Sequence, residues 1–351
     1  MLGLLLCSFS QSDTSCGVPQ IRATKRTEKF YWLARQKPER CPRVSRGFST
    51  PQGAKSTKTS DANLWGATPR NANQTNESRA QLTCYAISDL ALSRRLERTE
   101  AAANASFVDA RARRAPNVGA TWLDVAGTWA MFDGVDSPLT QTFGFGLFSV
   151  PASSQLDVIE HFFALRASSA CYEVSPLADP MALALLSAAG FRPIEQSMVL
   201  HQPLPVGAPQ HPHADVQVRV IGADEVALWA ETSAAGWGEY PELGDFMRDI
   251  GGVMATSRNT YCFAGEIDGV VAATGALSLH EGVALLAGAS TVPAFRGRGA
   301  QNALLQVRLD FAASHACEIA MMTTQPGSAS QRNAERQGFR VAYTRTKWGK
   351  A

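Results

Sequence analysis

Residues 283–301 read VALLAGASTVPAFRGRGAQ, and the turn from Val292 through Pro293, Ala294, Phe295, Arg296, Gly297, Arg298, Gly299 and Ala300 to Gln301 decides the fold. VALLAGAST is an unbroken apolar run, as a strand buried on both faces is. After the turn, Ala303, Leu304, Val307 and Phe311 recur at helical spacing, which predicts an amphipathic helix over 301–314. A strand that enters a helix through Arg-Gly-Arg-Gly leaves several backbone N–H groups unpaired and converging. Glycines let that backbone approach a ligand closely, and the helix start adds positive partial charge. Two arginines complete a site suited to a pyrophosphate. An isolated Arg-Gly-Arg-Gly also fits a solvated turn or a basic contact to nucleic acid; the strand before it and the helix after it favour the cradle.

Downstream, the pattern predicts a strand over 319–322, a polar turn, a helix ending in Gly338-Phe339, and a last strand over 340–347. With Arg296 and Gly299, this order resembles the GNAT superfamily of N-acetyltransferases. That family's acyl-CoA motif is Arg or Gln, two variable residues, Gly, one variable residue, then Gly or Ala. Gln301 departs at the sixth position, placing a bulkier side chain on the first helical turn. The resemblance covers residues 215–351 and implies an α/β (α+β) fold, a mixed and mostly antiparallel sheet flanked by helices. It implies acetyl-CoA as the acyl donor, with no metal. The pantetheine arm would follow Ser290, Thr291 and Val292, pairing like an added strand. The diphosphate would fall on Arg296, Gly297, Arg298, Gly299 and Ala300, beside Gln301, while Ser330 and Asn333 on the last helix are expected coenzyme contacts. The implied chemistry is direct attack of an amine on the thioester, the oxyanion held by strand N–H groups.

An amine attacks only when neutral, so a base or water chain must take its proton. Many relatives place a Glu on the strand before the cradle, but VALLAGAST has no carboxylate. Their Tyr, four residues before the Gly-Phe glycine, is Ala334 here, and the place of their Asn is Gly327. The remaining candidates are Glu239 and Tyr240, in the loop Gly236-Trp237-Gly238-Glu239-Tyr240-Pro241, and Tyr343 on the last strand. Each reads equally as a loop or packing residue, and Trp237 either lines the acceptor pocket or packs the loop.

The chain also resembles itself. Val150-Pro151-Ala152 and QLDVIEHFFALRASSA-Cys171 echo Val292-Pro293-Ala294 and QNALLQVRLDFAASHA-Cys317, with equal spacing from Gln to Cys. Each copy then runs to Gly-Phe, at Gly190-Phe191 and Gly338-Phe339. Between Ala and Gln, however, the second copy has six residues and the first only Ser153 and Ser154, so the arginine–glycine loop is what the first copy lacks. This predicts two related domains in tandem: a degenerate copy over 82–202, a proline-rich linker over 203–214 and an acetyltransferase domain over 215–351. A chain of 351 residues is long enough for two cores. His211 and His213 in the linker have no acidic or cysteine partner at ligand spacing, so a metal site is not expected there.

Within the second copy, strands are expected over 216–220, 261–267, 270–277 and 283–291, with helices over 224–234 and 242–256 and a turn at Asp268-Gly269. Residues 1–81 are of another kind. From 21 to 80 there are thirteen Lys/Arg against four Asp/Glu and no sustained apolar period, a composition expected to stay disordered. Such a tail reads as a polyanion-binding segment, as a targeting segment, although residues 2–6 are short for that, or as a mis-assigned start, the favoured reading. Seven cysteines without close pairs point to a reducing, cytoplasmic setting, and no apolar run approaches a membrane span. The expected partner is a small-molecule or peptide amine acceptor. A nucleic acid is disfavoured because the tail lacks a placed aromatic pattern, and a homodimer is left open. The competing reading is a non-catalytic acyl-CoA-binding regulatory or scaffolding protein.

Overall fold

A computed structural model describes residues 88–207 and 215–350, referred to below as the first and second halves. The first half holds α1 (Leu90–Arg114), β1 (Thr121–Val125), β2 (Thr128–Phe132), β3 (Gln141–Phe143), α2 (Ser153–Ala164), β4 (Cys171–Val174), α3 (Met181–Ala188) and β5 (Arg192–Pro203). The second holds β6 (Val216–Val220), α4 (Val226–Ala235), α5 (Gly244–Met254), β7 (Thr260–Ile267), β8 (Val270–His280), β9 (Val283–Thr291), α6 (Ala300–Ser314), β10 (Ile319–Thr324), α7 (Ala329–Arg336) and β11 (Arg340–Gly349). β6 and β9 have their expected bounds, and the remaining expected elements of this half differ by a few residues at their ends. The expectations for residues 1–81 lie outside the described residues, as does most of the linker; β5 runs on into Pro203.

All strands join one sheet, in the order β1-β2-β3-β4-β11-β5-β10-β9-β8-β7-β6. Apart from β6 the order reads alike from both ends, because each half lends its last strand to the other. β5 pairs antiparallel with β10, and β11 pairs antiparallel with β4, so that the two exchanged strands lie side by side at the centre. Burial follows the exchange: Leu200 of β5 sits in the second half's core, and Trp348 of β11 packs against the first half's. Both halves close α3 and α7 in the same way. Gly190 (φ +86°) and Gly338 (φ +96°) take the left-handed conformation, and Phe191 and Phe339 donate back to Leu186 and Ala334 before inserting fully buried rings.

At the seam the register sets Arg345 opposite Ser197, each six residues past its Gly-Phe phenylalanine. Arg345 is completely buried beneath α1, a helix that spans both halves. Leu92 and Leu96 pack on Val283, Leu285 and Met321, while Ala101, Ala105 and Val108 pack on Met131 and Phe143. The Arg345 guanidinium reaches Glu100 (2.8 Å), Glu173 (3.1 Å) and Glu97 (3.2 Å); Lys347 Nζ lies 3.5 Å from Glu173 and donates to Gln141. Three carboxylates thus face two cations, and one carboxyl is better off neutral. Burial, against the pull of Arg345, pushes Glu97 up to about 7. Burial also works to raise Glu173, but Arg345 and Lys347 overcome it and hold it at about 2. At its other end α1 is tied by Arg111, which bonds Asp133 (2.9 Å) after β2 and Asp249 (2.7 Å) on α5.

Removing the central cation leaves three buried carboxyl groups with Lys347 as their remaining cation, so Arg345→Met should cost about 3–5 kcal/mol in urea unfolding. A second prediction concerns pH. Glu97 binds its proton more tightly folded (about 7) than unfolded (4.5), so its stabilising share is complete below 4.5 and lost as pH rises through 7. Urea unfolding between pH 4.5 and 8 should therefore show Glu97→Gln gaining on the wild type as pH rises, by at most about 1.4 kcal/mol per pH unit.

Candidate functional site

The sheet opens at one place. β9 and β10 pair in parallel through Val283–Ile319, Ala284–Ala320 and Leu285–Met321, and there the pairing ends. β9 continues to Thr291 against β8, and β10 to Thr324 against β5, so their facing edges form a fork. A bulge in the β8–β9 ladder, between Thr274 and Ala276, bends β9 away. Gly288 sits in it at φ +63°, where a Cβ would lie 3.0 Å from that of Ala276 and 3.2 Å from the Trp229 ring. Arg308 of α6 serves the same irregularity, donating to the Ala276 and Ala287 carbonyls at 3.1 and 3.2 Å.

The arginine–glycine turn lies beyond the end of β9. Gly297 (φ +78°) and Gly299 (φ +81°) are left-handed, and Gly299 is the N-cap of α6 without a side-chain cap. Among the described residues, the amides of Gly297 through Asn302 meet no protein acceptor, and a Cβ on Gly297 would meet nothing within 4 Å. Six unpartnered donors at the start of a fifteen-residue helix, with Gly297, Arg298 and Asn302 exposed, make a candidate anion cradle. The corresponding start of α2 is closed differently: Gln155 Oε1 accepts from the Ala152 amide at 3.0 Å, the loop before it holds no arginine, and its two left-handed glycines, Gly144 and Gly146, lie next to β3 rather than at the helix start.

The cradle's side chains are more occupied than the sequence suggests. Arg296 turns inward, donating to the Gly236 carbonyl (2.8 Å) and pairing with Glu239 (3.1 Å). Arg298 makes a bidentate pair with Asp268 at 2.6 and 3.2 Å, on the β7–β8 turn. Gln301, expected beside the coenzyme, is buried, and its Nε2 donates to Ser290 O (2.7 Å), Thr291 Oγ1 (3.0 Å) and Thr274 O (3.2 Å). It braces the strand end that a smaller residue would leave unsupported. In the stretch expected to pair through its backbone with the pantetheine arm, the Ser290 hydroxyl donates to Ser233 O and the Val292 amide to Ala272 O.

A cleft between α6 and α7 leads along the same face to the fork, lined by Leu286, Ala289, Asn302, Leu305, Met322, Asn333 and Ala334. Asn333 is therefore brought together with the cradle helix. The Ser330 and Thr324 hydroxyls are buried without a partner. The proton-transfer candidates do not converge. Glu239 is committed to Arg296, and Tyr240 is half-buried in the adjoining loop, as is Trp237. Tyr343 lies under α1, its hydroxyl donating to Glu97 at 2.9 Å, and burial beside that carboxyl raises it far above the usual tyrosine range. Missed altogether were Glu97, Glu100 and Thr323, whose hydroxyl donates to Glu100 at 3.1 Å. Nothing in the second half's sequence announces groups supplied from α1. Among the described residues no cluster of His, Cys, Asp or Glu could hold a metal, and no helix is long and apolar enough to cross a membrane.

Residues 227–339 match the family model described as the acetyltransferase (GNAT) family. No curated protein matches the chain by sequence. Among solved structures, a GCN5-related N-acetyltransferase from Kribbella flavida aligns with TM-score 0.50 and 20% identity, over 69% of this chain and 95% of that one. Another from Sphaerobacter thermophilus aligns at TM-score 0.43 and 17% identity over 66% and 75%. A tandem GNAT protein from the clavulanic acid biosynthesis pathway aligns at TM-score 0.47 and 16% identity over 63% and 77%. At 20% identity the likeness to the Kribbella flavida structure is one of fold.

The bracing role of Gln301 is testable. Gln301→Leu removes the donor to buried carbonyls and should cost about 1–3 kcal/mol in thermal unfolding, whether or not a coenzyme is present.

Proposed function

We propose that the second half, whose residues 227–339 match the acetyltransferase (GNAT) family model, is a GNAT acetyltransferase domain, and that the chain transfers an acetyl group from acetyl-CoA directly to an amine, on a small molecule or a peptide. The observation that carries this reading is the continuity of cradle, cleft and fork on one face of the second half. Six unpartnered amides and the α6 dipole suit the diphosphate, with Arg298 able to exchange Asp268 for it. The α6–α7 cleft, with Asn302, Asn333 and the unpartnered Ser330 hydroxyl, suits the pantetheine amides. Unpaired strand edges past Leu285 and Met321 suit a chain that adds like a strand and brings its thioester to the fork. Strand N–H groups there would hold the oxyanion. Arg296 and Glu239 then act by latching the α4–α5 loop over the strand end, with Tyr240 and Trp237 in that loop bordering the acceptor.

The first half is read as a degenerate copy, with boundaries at 82–202 and 215–351. Support comes from the sheet order, the shared Gly-Phe helix ends and the absence of a cradle before α2. The alternative, an acyl-CoA-binding regulator without turnover, is favoured by two observations: VALLAGAST carries no carboxylate, and the tyrosine position is Ala334.

Calorimetry of acetyl-CoA binding to the full chain, beside the Arg296→Ala/Arg298→Ala double variant, tests the reading. The wild type should bind and the double variant should bind at least tenfold more weakly, a tenfold loss being about 1.4 kcal/mol. Absence of binding by the wild type would overturn it. Binding without release of thiol in the presence of primary amines would favour the regulator.

A further inference from the structure

The second half has a fork for a thioester but no carboxylate of its own on β9. On the other face of the sheet, the carboxylate that touches β10 beyond the fork comes from the first half: Glu100 of α1. Thr323 stands on the part of β10 past the last β9 pair, where its partner across the sheet is Val199 of β5 alone. Its hydroxyl, fully buried, points to the α1 side and donates to Glu100 Oε2. We propose that Thr323 and Glu100 form the proton relay of the acyl transfer, so that the first half supplies the base that the second half lacks. This inference rests on the transferase reading given above.

The chemistry closes. The amine lone pair forms the C–N bond to the thioester carbon, and the C–S bond breaks with its electrons leaving on sulfur. The proton shed by nitrogen passes to Thr323 Oγ1 as the hydroxyl's own proton moves to Glu100. Thiolate and Glu100 then exchange protons with water on release, giving amide and free thiol. A hydroxyl suits this place because it can accept from the amine while it donates to the carboxylate.

Glu100, buried and held through both oxygens by Arg345, belongs to a larger cluster of charges. Arg345 binds it together with Glu97 and Glu173; Lys347, Tyr343 and Gln141 complete the ring, and Glu195 and Ser197 face it from β5. Its three central carboxylates exceed its two cations by one, so the ring takes up a proton without carrying net charge. Glu97, at about 7, is the member that takes it near neutrality.

Acetyl-CoA with benzylamine, and separately with a lysine-containing peptide, tests the relay in the full chain by thiol release across pH 6–9, beside calorimetry of acetyl-CoA. Thr323→Val, which keeps shape and loses the hydroxyl, should lower kcat by roughly 100-fold with acetyl-CoA affinity unchanged within about twofold. It should also lose the rising limb near pH 7. Thr323→Ser should restore both. Wild-type kcat and pH profile in Thr323→Val would overturn the relay and leave the transferase reading standing. A wild type that binds acetyl-CoA and acetylates neither probe would overturn both.

Discussion

A guanidinium with no access to water cannot stand without its carboxylates, and Arg345 finds its three on two different segments of the first half. Glu97 and Glu100 come from α1 and Glu173 from β4, while Arg345 itself is on the last strand of the second half. The desolvation of these ions offsets much of their attraction, so the cluster contributes less to net stability than to the choice of partners: any arrangement that removes β11 from beneath α1 leaves charge buried and unpaired. Strand exchange and α1 placement are thereby mutually dependent. Each half's core draws on the other's last strand: Leu200 is buried in the second half's core, and Trp348, partly buried, packs against the first half's.

That constraint positions the candidate site. β5 from the first half holds the outer edge of β10, which frees its inner edge to part from β9. The bulge at Gly288 and the Arg308 guanidinium stabilise the bend on the other side of the gap. The cradle is then a consequence of entering α6 through two left-handed glycines, which leaves the helix start uncapped. In the first half the glycines sit beside β3 instead of at the helix start and Gln155 caps that start, so the property is absent while strand and helix are kept.

The site's backbone was legible in the sequence. VALLAGAST, the two glycines and the Gly-Phe helix end each follow from local chemistry, and the strand they predicted has its expected bounds. The roles of side chains were less so. Gln301 reads as an intrusion into the motif until Ser290 and Thr274 carbonyls are found in need of a donor, a long-range fact. Arg296 and Glu239 are far apart in sequence, and only the loop's return over the strand end pairs them. α1 was unreadable for another reason: the face it buries includes Ser93, Glu97, Glu100 and Asn104, which break the apolar period that marks a buried helix. The repeat was visible, but not that its last strands are exchanged, since pairing partners leave no trace in a single strand's pattern.

The central claim is that one face of the second half, and not its counterpart in the first, takes up acetyl-CoA. Hydrogen exchange on the full chain with and without acetyl-CoA tests it most directly. The account predicts slowed exchange in peptides spanning 286–302 and 322–337 and none in 144–155. Equal protection at 144–155, or unchanged exchange of the 297–302 amides, would contradict it.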